Sequence, residues 1–207
     1  MSRLKIEKMK LFELFITGGF MMYPLLLASF IVIAIAIERT RLYKRAKSDM
    51  DLLKANLPRL LSEEKMDEAA ALCEKTGGVV GELLTNTLSH RTMVADSTEF
   101  LNGQAQEAAV KLKENLNYVS AIVTLSPLMG LLGTVIGMIG SFNVLSIAEG
   151  EPFAVTGGVA EALVATAFGL LVAILAMLVF VWLQQVSNKL IADIETGATL
   201  YTTCLKK

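Results

Sequence analysis

The sequence predicts an all-α, polytopic membrane protein with three transmembrane helices and a helical domain outside the bilayer. Hydrophobic residues make up 54% of the 207-residue chain, above the roughly 45–50% that is usual for soluble domains. The excess is concentrated in three long segments that are almost free of charge. The polar remainder carries apolar residues at helical spacing and shows no alternation typical of a strand.

The N-terminal part contains an amphipathic segment and the first predicted span. Residues 1–19 mix basic and apolar side chains, as in helices that lie on a membrane surface. Residues 20–37 carry no charge and would extend about 27 Å as a helix, close to the hydrocarbon thickness of about 30 Å. Pro24 lies in the first turns, where proline is tolerated. The alternative is a cleaved signal peptide, but the run is long for one, and Glu38 and Arg39 follow it directly.

Residues 38–118 form the predicted helical cytoplasmic domain. Basic residues cluster directly after the first span, which indicates that this end lies in the cytoplasm. One helix is expected to begin at Ser62, because a serine closely followed by glutamate is a helix-start signal, and to end at Gly77 and Gly78. A later helix is expected from about Asp96 and to continue unbroken into the second span.

Residues 119–148 and 153–183 are the second and third predicted spans. The loop between them, residues 149–152, is acidic and lacks Lys and Arg, which places it outside the cytoplasm. A short polar helix, residues 184–207, is expected to follow in the cytoplasm. Three spans then place the N-terminus outside, although four basic residues precede the first span.

Pro127 interrupts the second span and removes one backbone donor. Neighbouring helices or hydroxyl groups can satisfy the carbonyl that such a proline frees. Ser126 and Thr124 are the candidates for this contact.

Small residues line one face of each of the last two spans, at steps of three and four. The second span carries Gly130, Gly133, Gly137 and Gly140, and the third carries Ala162, Ala165, Gly169, Ala173 and Ala176. Helices in lipid have no hydrophobic drive to associate, and they pack closely where small residues let the backbones approach. The two faces therefore predict a tight antiparallel helix pair.

Three polar residues lie on these small-residue faces: Thr134, Glu161 and Thr166. A carboxylate costs roughly 2.5–3.5 kcal/mol at the centre of a span and less near the surface, where Glu161 is expected to lie. A carboxylate retained in a span indicates a cavity, a partner or a water path. The alternative is that Glu161 only bonds neighbouring helices. A threonine in a span usually bonds its own backbone, but on antiparallel helices the two threonines would differ by only about 6 Å in depth.

The segments PLMGLLGTVIGM and AEALVATAFGLLVAI resemble the MotA/TolQ/ExbB family of ion-channel subunits, most closely its TolQ/ExbB branch. The segment PLLLASFIVIAIAIER resembles the first helix of that branch. The resemblance implies that Thr134 and Thr166 line a proton pathway and that Glu161 is the motif glutamate. The chain departs from the family pattern at Leu175, where a proline is usual, and at residues 180–181, where an aromatic–Asn pair is frequent.

The resemblance also implies the assembly and its location. It implies a homopentameric ring in the bacterial inner membrane, with a periplasmic N-terminus and a cytoplasmic C-terminus. The ring would enclose the helices of two copies of a single-span ExbD/TolR-like partner, whose aspartate takes and releases the proton. A TonB- or TolA-like effector would receive the energy. Two alternatives remain: a flagellar MotA-like stator subunit, and a structural scaffold without ion conduction.

Composition weighs against other classes of function. The net charge of −1 provides no excess of positive charge that would favour nucleic-acid binding. The two cysteines are far apart and the single histidine has no Cys or His cluster around it, so no metal site or cofactor is expected. The sequence contains no nucleophile–base pair and no nucleotide motif, so we do not expect an enzyme.

Overall fold

A computed structural model describes residues 15–90, 97–147 and 152–205 of the chain. These residues form seven helices of at least 11 residues and contain no strand, which confirms the all-α fold class. Most of the predicted N-terminal amphipathic segment and most of the acidic loop lie outside the described residues. The helices are α1 (Met22–Ala46), α2 (Met50–Ser62), α3 (Met66–Thr76), α4 (Gly78–His90), α5 (Ser97–Lys113), α6 (Leu116–Ile147) and α7 (Pro152–Leu205).

Three helical stretches within the described residues are long and apolar enough to cross a membrane. They lie within Met22–Ser62, Ser97–Asn143 and Thr156–Cys204, and each of these ranges overlaps one predicted span. Pro24 is the third residue of α1, a position where its missing N–H removes no bond within the helix.

The chain divides into two compact units. The first comprises the residues up to Ala36 together with Asn117–Val181 and holds the apolar parts of α1, α6 and α7. All three helices contribute side chains to its core: Val32, Ile35, Val119 and Ala176 are buried there, and Ile122, Val123, Val179 and Phe180 pack around them.

The second unit comprises Ile37–Leu116 and the residues from Trp182 onward. Its core is built from leucines that recur at helical spacing, including Leu53, Leu57 and Leu84, each fully buried. The last part of α7 packs into this bundle because Gly197 lacks a side chain. A Cβ there would lie 2.5 Å from a methyl group of Val80.

The predicted helix start at Ser62 is wrong. Ser62 is the last residue of α2, and its hydroxyl donates a 2.8 Å hydrogen bond back to the Arg59 carbonyl. The chain then turns at Glu64, which has a φ of 58°, and α3 begins only at Met66. The buried face of α2 continues through Leu61, so core packing extends that helix as far as Ser62, the serine that was expected to start the next helix.

The helix that enters the second span is interrupted, contrary to the prediction of a continuous helix. Asn115 has a φ of 64° and separates α5 from α6. Side chains from two other helices satisfy carbonyl groups at the end of α5. Arg39 donates to the Lys111 carbonyl at 2.8 Å, and Tyr43 and Ser187 donate to the Leu112 carbonyl at 2.9 and 3.2 Å.

Pro127 lies inside α6, and its ring nitrogen leaves the carbonyl four residues earlier, that of Val123, without its helical donor. Ser126 donates instead to Ile122 at 2.7 Å, and Thr124 donates to Ser120 at 3.3 Å. The prediction that these hydroxyl groups satisfy the freed carbonyl is therefore wrong.

The third span and the C-terminal polar segment form one helix. α7 continues for 54 residues, from Pro152 to Leu205, without a break at residues 183–184. The predicted boundary there marks a change of composition within a helix and not the end of one.

Candidate functional site

The small-residue faces of α6 and α7 lie directly against each other. A Cβ built on Gly130 would lie 3.1 Å from the Cα of Thr166, and one on Gly133 would lie 2.7 Å from the Cβ of Ala165. One on Gly137 would lie 3.2 Å from the Cβ of Ala162. From Gly130 to Gly137 along α6, the contacting residues on α7 run backwards from Thr166 to Ala162. The two helices are therefore antiparallel in this contact.

The backbones of the two helices also approach closely where Gly169 meets Gly130. A Cβ on Gly169 would lie 2.7 Å from the Ser126 carbonyl oxygen and 3.0 Å from the Cα of Gly130. Both are backbone atoms, which cannot move aside as a flexible side chain can. Ala173 and Ala176 are also buried on this face of α7.

Gly140 is the exception among the predicted packing residues. A Cβ at this position would meet no atom within 4 Å. Its neighbour Ser141 continues the contact instead, lying against Gly158 and donating a 3.0 Å hydrogen bond to the Gly137 carbonyl. The buried face of α6 has therefore moved round by one residue at this end.

Thr166 bonds across the helix pair. Its hydroxyl donates a 3.1 Å hydrogen bond to the Gly130 carbonyl, an acceptor on the facing helix. Because Gly130 has no side chain, the hydroxyl reaches a backbone carbonyl that a larger residue would shield. Thr166 is partly buried in this contact.

Thr134 bonds within its own helix. Its hydroxyl donates a 2.6 Å hydrogen bond to the Leu131 carbonyl, and its side chain is half-buried. Thr166 lies opposite Gly130, four residues before Thr134, so the two threonines are about 6 Å apart along the helix axis. This offset matches the predicted depth difference.

Glu161 lies beside the turn that precedes α1. Its carboxylate occupies the space that a Cβ on Gly19 would take, and Gly19 has a φ of +68°. Within the described residues no cation forms an ion pair with Glu161. The contact between Gly19 and Glu161 was not predicted from the sequence. A glycine pair directly before an apolar run was the signal that could have indicated this contact.

The described residues show no candidate metal site, and Cys73 is not reactive at neutral pH. They contain no group of three His, Cys, Asp or Glu residues placed to hold a metal ion. Cys73 is fully buried, and burial raises the pKa of its thiol to about 11. At neutral pH it is therefore a protonated core residue and a poor nucleophile.

Comparison with known proteins identifies the family. A sequence model of the MotA/TolQ/ExbB proton channel family matches residues 75–196, more than half of the chain. The ExbB-like 1 protein of Synechocystis sp. is 32% identical over 181 residues, which cover 83% of this chain and 69% of that protein. The Tol-Pal system protein TolQ of Pseudomonas aeruginosa is 36% identical over 98 residues, which cover 47% of this chain and 42% of TolQ. The chain belongs to the MotA/TolQ/ExbB proton channel family, in its TolQ/ExbB branch.

Proposed function

We propose that this protein is the ring subunit of a motor in the bacterial inner membrane that is driven by the proton-motive force. Five copies form a ring around the single membrane helices of two ExbD/TolR-like partners. Protons cross with the partner, and the resulting motion reaches a TonB- or TolA-like effector in an envelope process such as outer-membrane transport. The N-terminus lies in the periplasm, and the polar helical unit with the C-terminus lies in the cytoplasm.

The observation that carries this proposal is the place of the polar residues in the three-helix unit. Thr166 bonds Gly130 within the small-residue contact of α6 and α7, and Glu161 lies on the same helix five residues earlier. Polar groups held inside an apolar bundle are typical of ion paths. Membership of a proton channel family supports a role in proton conduction for this arrangement.

The exposed surface of the three-helix unit supports an assembly in lipid. Large apolar side chains face outward on all three helices, including Phe30, Leu128 and Leu163, which are 59%, 55% and 65% exposed. In a soluble monomer such a surface would promote aggregation. Lipid and neighbouring subunits can both cover it.

In the proposed mechanism, this chain supplies the path and the partner supplies the proton carrier. A charged aspartate is costly inside an apolar bundle, and protonation removes that cost. The neutral partner helix can then move past the apolar lining of the ring. Thr134 and Thr166 hold water and hydrogen-bond the partner's carboxyl group, and Glu161 attracts the proton near the periplasmic side.

The first test is the native mass of the detergent-purified protein, alone and co-expressed with its candidate single-span partner. We expect a five-fold ring that gains two partner copies. A monomer or dimer that ignores the partner would contradict the motor. A MotA-like stator subunit has four spans, so a fourth membrane span found in this chain would favour that alternative.

The second test measures proton flux in proteoliposomes that contain the complex. We expect Glu161→Gln and the double substitution of Thr134 and Thr166 to valine to stop flux while the ring remains assembled. Thr196→Val is the matched control, because Thr196 also bonds its own helix, at 2.7 Å to Ala192, but lies in the polar unit. Unchanged flux in the first two variants would favour a structural scaffold.

A further inference from the structure

The turn before α1 touches both helices of the small-residue pair. A Cβ on Gly18 would lie 3.1 Å from a methyl group of Val164 on α7. On the other side, the Cβ of Met21 lies 3.4 Å from the position a Cβ on Gly133 of α6 would take. The turn therefore packs over the pair at the level of Glu161, which is three residues before Val164.

The contact between Gly19 and Glu161 depends on the absence of a side chain. A Cβ on Gly19 would overlap Oε1 of Glu161 and would lie 2.6 Å from its Cδ and 3.0 Å from its Cγ. The Gly19 amide already donates to the Ile16 carbonyl at 3.3 Å. Packing against the bare Cα, rather than a hydrogen bond to the Gly19 amide, therefore sets the position of the carboxylate.

We propose that Gly19 is a positioning residue for Glu161. By lacking a side chain, it lets the Glu161 carboxylate lie against the turn before the first membrane helix. Any side chain at this position displaces the carboxylate, so the placement of Glu161 depends on an element that is remote in sequence. The inference rests on the proposed function only where it links this placement to proton flux.

Gly19→Ala has two effects that must be separated. The φ of +68° is unfavourable for alanine whatever surrounds it. The contact with Glu161 adds a second effect that depends on the neighbour. Gly77 provides the matched control, because its φ is +62° and a Cβ there would meet nothing within 4 Å.

The primary experiment measures the rate at which a hydrophobic carbodiimide labels Glu161 in the detergent-purified, full-length protein. Mass spectrometry follows the labelled peptide, and Glu161→Gln provides the blank. We expect Gly19→Ala to raise the rate severalfold, because the carboxylate leaves the turn, and Gly77→Ala to leave it unchanged. Equal rates in the wild type and in Gly19→Ala would overturn the proposal.

A rescue variant separates the effect of the Glu161 contact from the effect of backbone strain. Aspartate at position 161 is one methylene shorter and withdraws from the added Cβ. We expect Gly19→Ala to lower the melting temperature more than Gly77→Ala does, and this excess to disappear in the Glu161→Asp background. An equal loss in both backgrounds would mean backbone strain alone and would refute the positioning role.

The link to conduction has its own readout. We expect Gly19→Ala to shift the pH profile of proton flux in the reconstituted complex, whereas Gly77→Ala keeps the wild-type profile. Labelling and melting do not require flux. If Glu161→Gln conducts normally while the labelling result holds, the proposed function fails and the positioning role stands. If Glu161→Gln stops flux while Gly19→Ala changes nothing, the positioning role fails alone.

Discussion

Replacing Gly169 by alanine tests whether the α6–α7 contact holds the three-helix unit together. The added methyl group would lie 2.7 Å from the Ser126 carbonyl oxygen and 3.0 Å from the Cα of Gly130. Neither atom can move without shifting a helix backbone. The two helices must therefore separate at this contact.

The magnitude follows from two opposing effects. Overpacking a close contact costs about 1–3 kcal/mol, whereas replacing a helical glycine by alanine gains about 0.5–1 kcal/mol. Gly140→Ala is expected to show only the gain in helix stability, because its Cβ would meet no atom within 4 Å. The gain is common to both variants, so their unfolding free energies differ by about 1–3 kcal/mol, or by about five- to 150-fold in the unfolding constant.

The assay is unfolding in mixed micelles with increasing fractions of a denaturing detergent, followed by the fluorescence of the single tryptophan, Trp182. We expect the midpoint to fall for Gly169→Ala and to stay or rise for Gly140→Ala. Equal midpoints for the two variants would refute the close approach of the helices. A fall confined to Gly140→Ala would mean that another subunit, and not α7, packs on this face of α6.

Three further predictions concern single contacts. Thr166→Val removes a hydrogen bond between two helices and is expected to lower the unfolding free energy by about 0.6 kcal/mol in the same assay. Thr134→Val removes a hydrogen bond within one helix and is expected to lower it by less. A larger loss for Thr134→Val would contradict this assignment of the two hydrogen bonds. Tyr43→Phe removes a buried 2.9 Å hydrogen bond and is expected to lower the unfolding free energy by about 1 kcal/mol, measured by thermal unfolding. An unchanged unfolding free energy would mean that another donor replaces the tyrosine hydroxyl. Burial raises the pKa of Cys73 from 9.0 to about 11, so its thiol stabilises the fold fully below about pH 9 and loses this contribution as pH rises toward 11. At pH 7 it is expected to react with a maleimide more slowly than the half-buried Cys204, and equal rates by mass spectrometry would contradict its burial.

The fold class, the three spans and the small-residue faces could be predicted from the amino-acid sequence alone. These features depend on local periodicity and on length, because a membrane helix needs about 20 apolar residues and a packing face repeats every three or four. The family also followed from the sequence, because its motifs are long and contiguous. Thr134, Glu161 and Thr166 could be chosen as candidate site residues because polar residues are conspicuous in apolar spans.

Which residues meet across the helices depends on how the helices pack in three dimensions. Gly140 continues the glycine pattern but faces away from α7, and the contact passes to Ser141, because helix crossing and not spacing sets where two faces diverge. Thr166 bonds the facing helix whereas Thr134 bonds its own, a difference that depends on which residue lies opposite. The position of Glu161 depends on Gly19, more than a hundred residues away. A local pattern cannot encode such a contact, since it arises only when separate helices pack together.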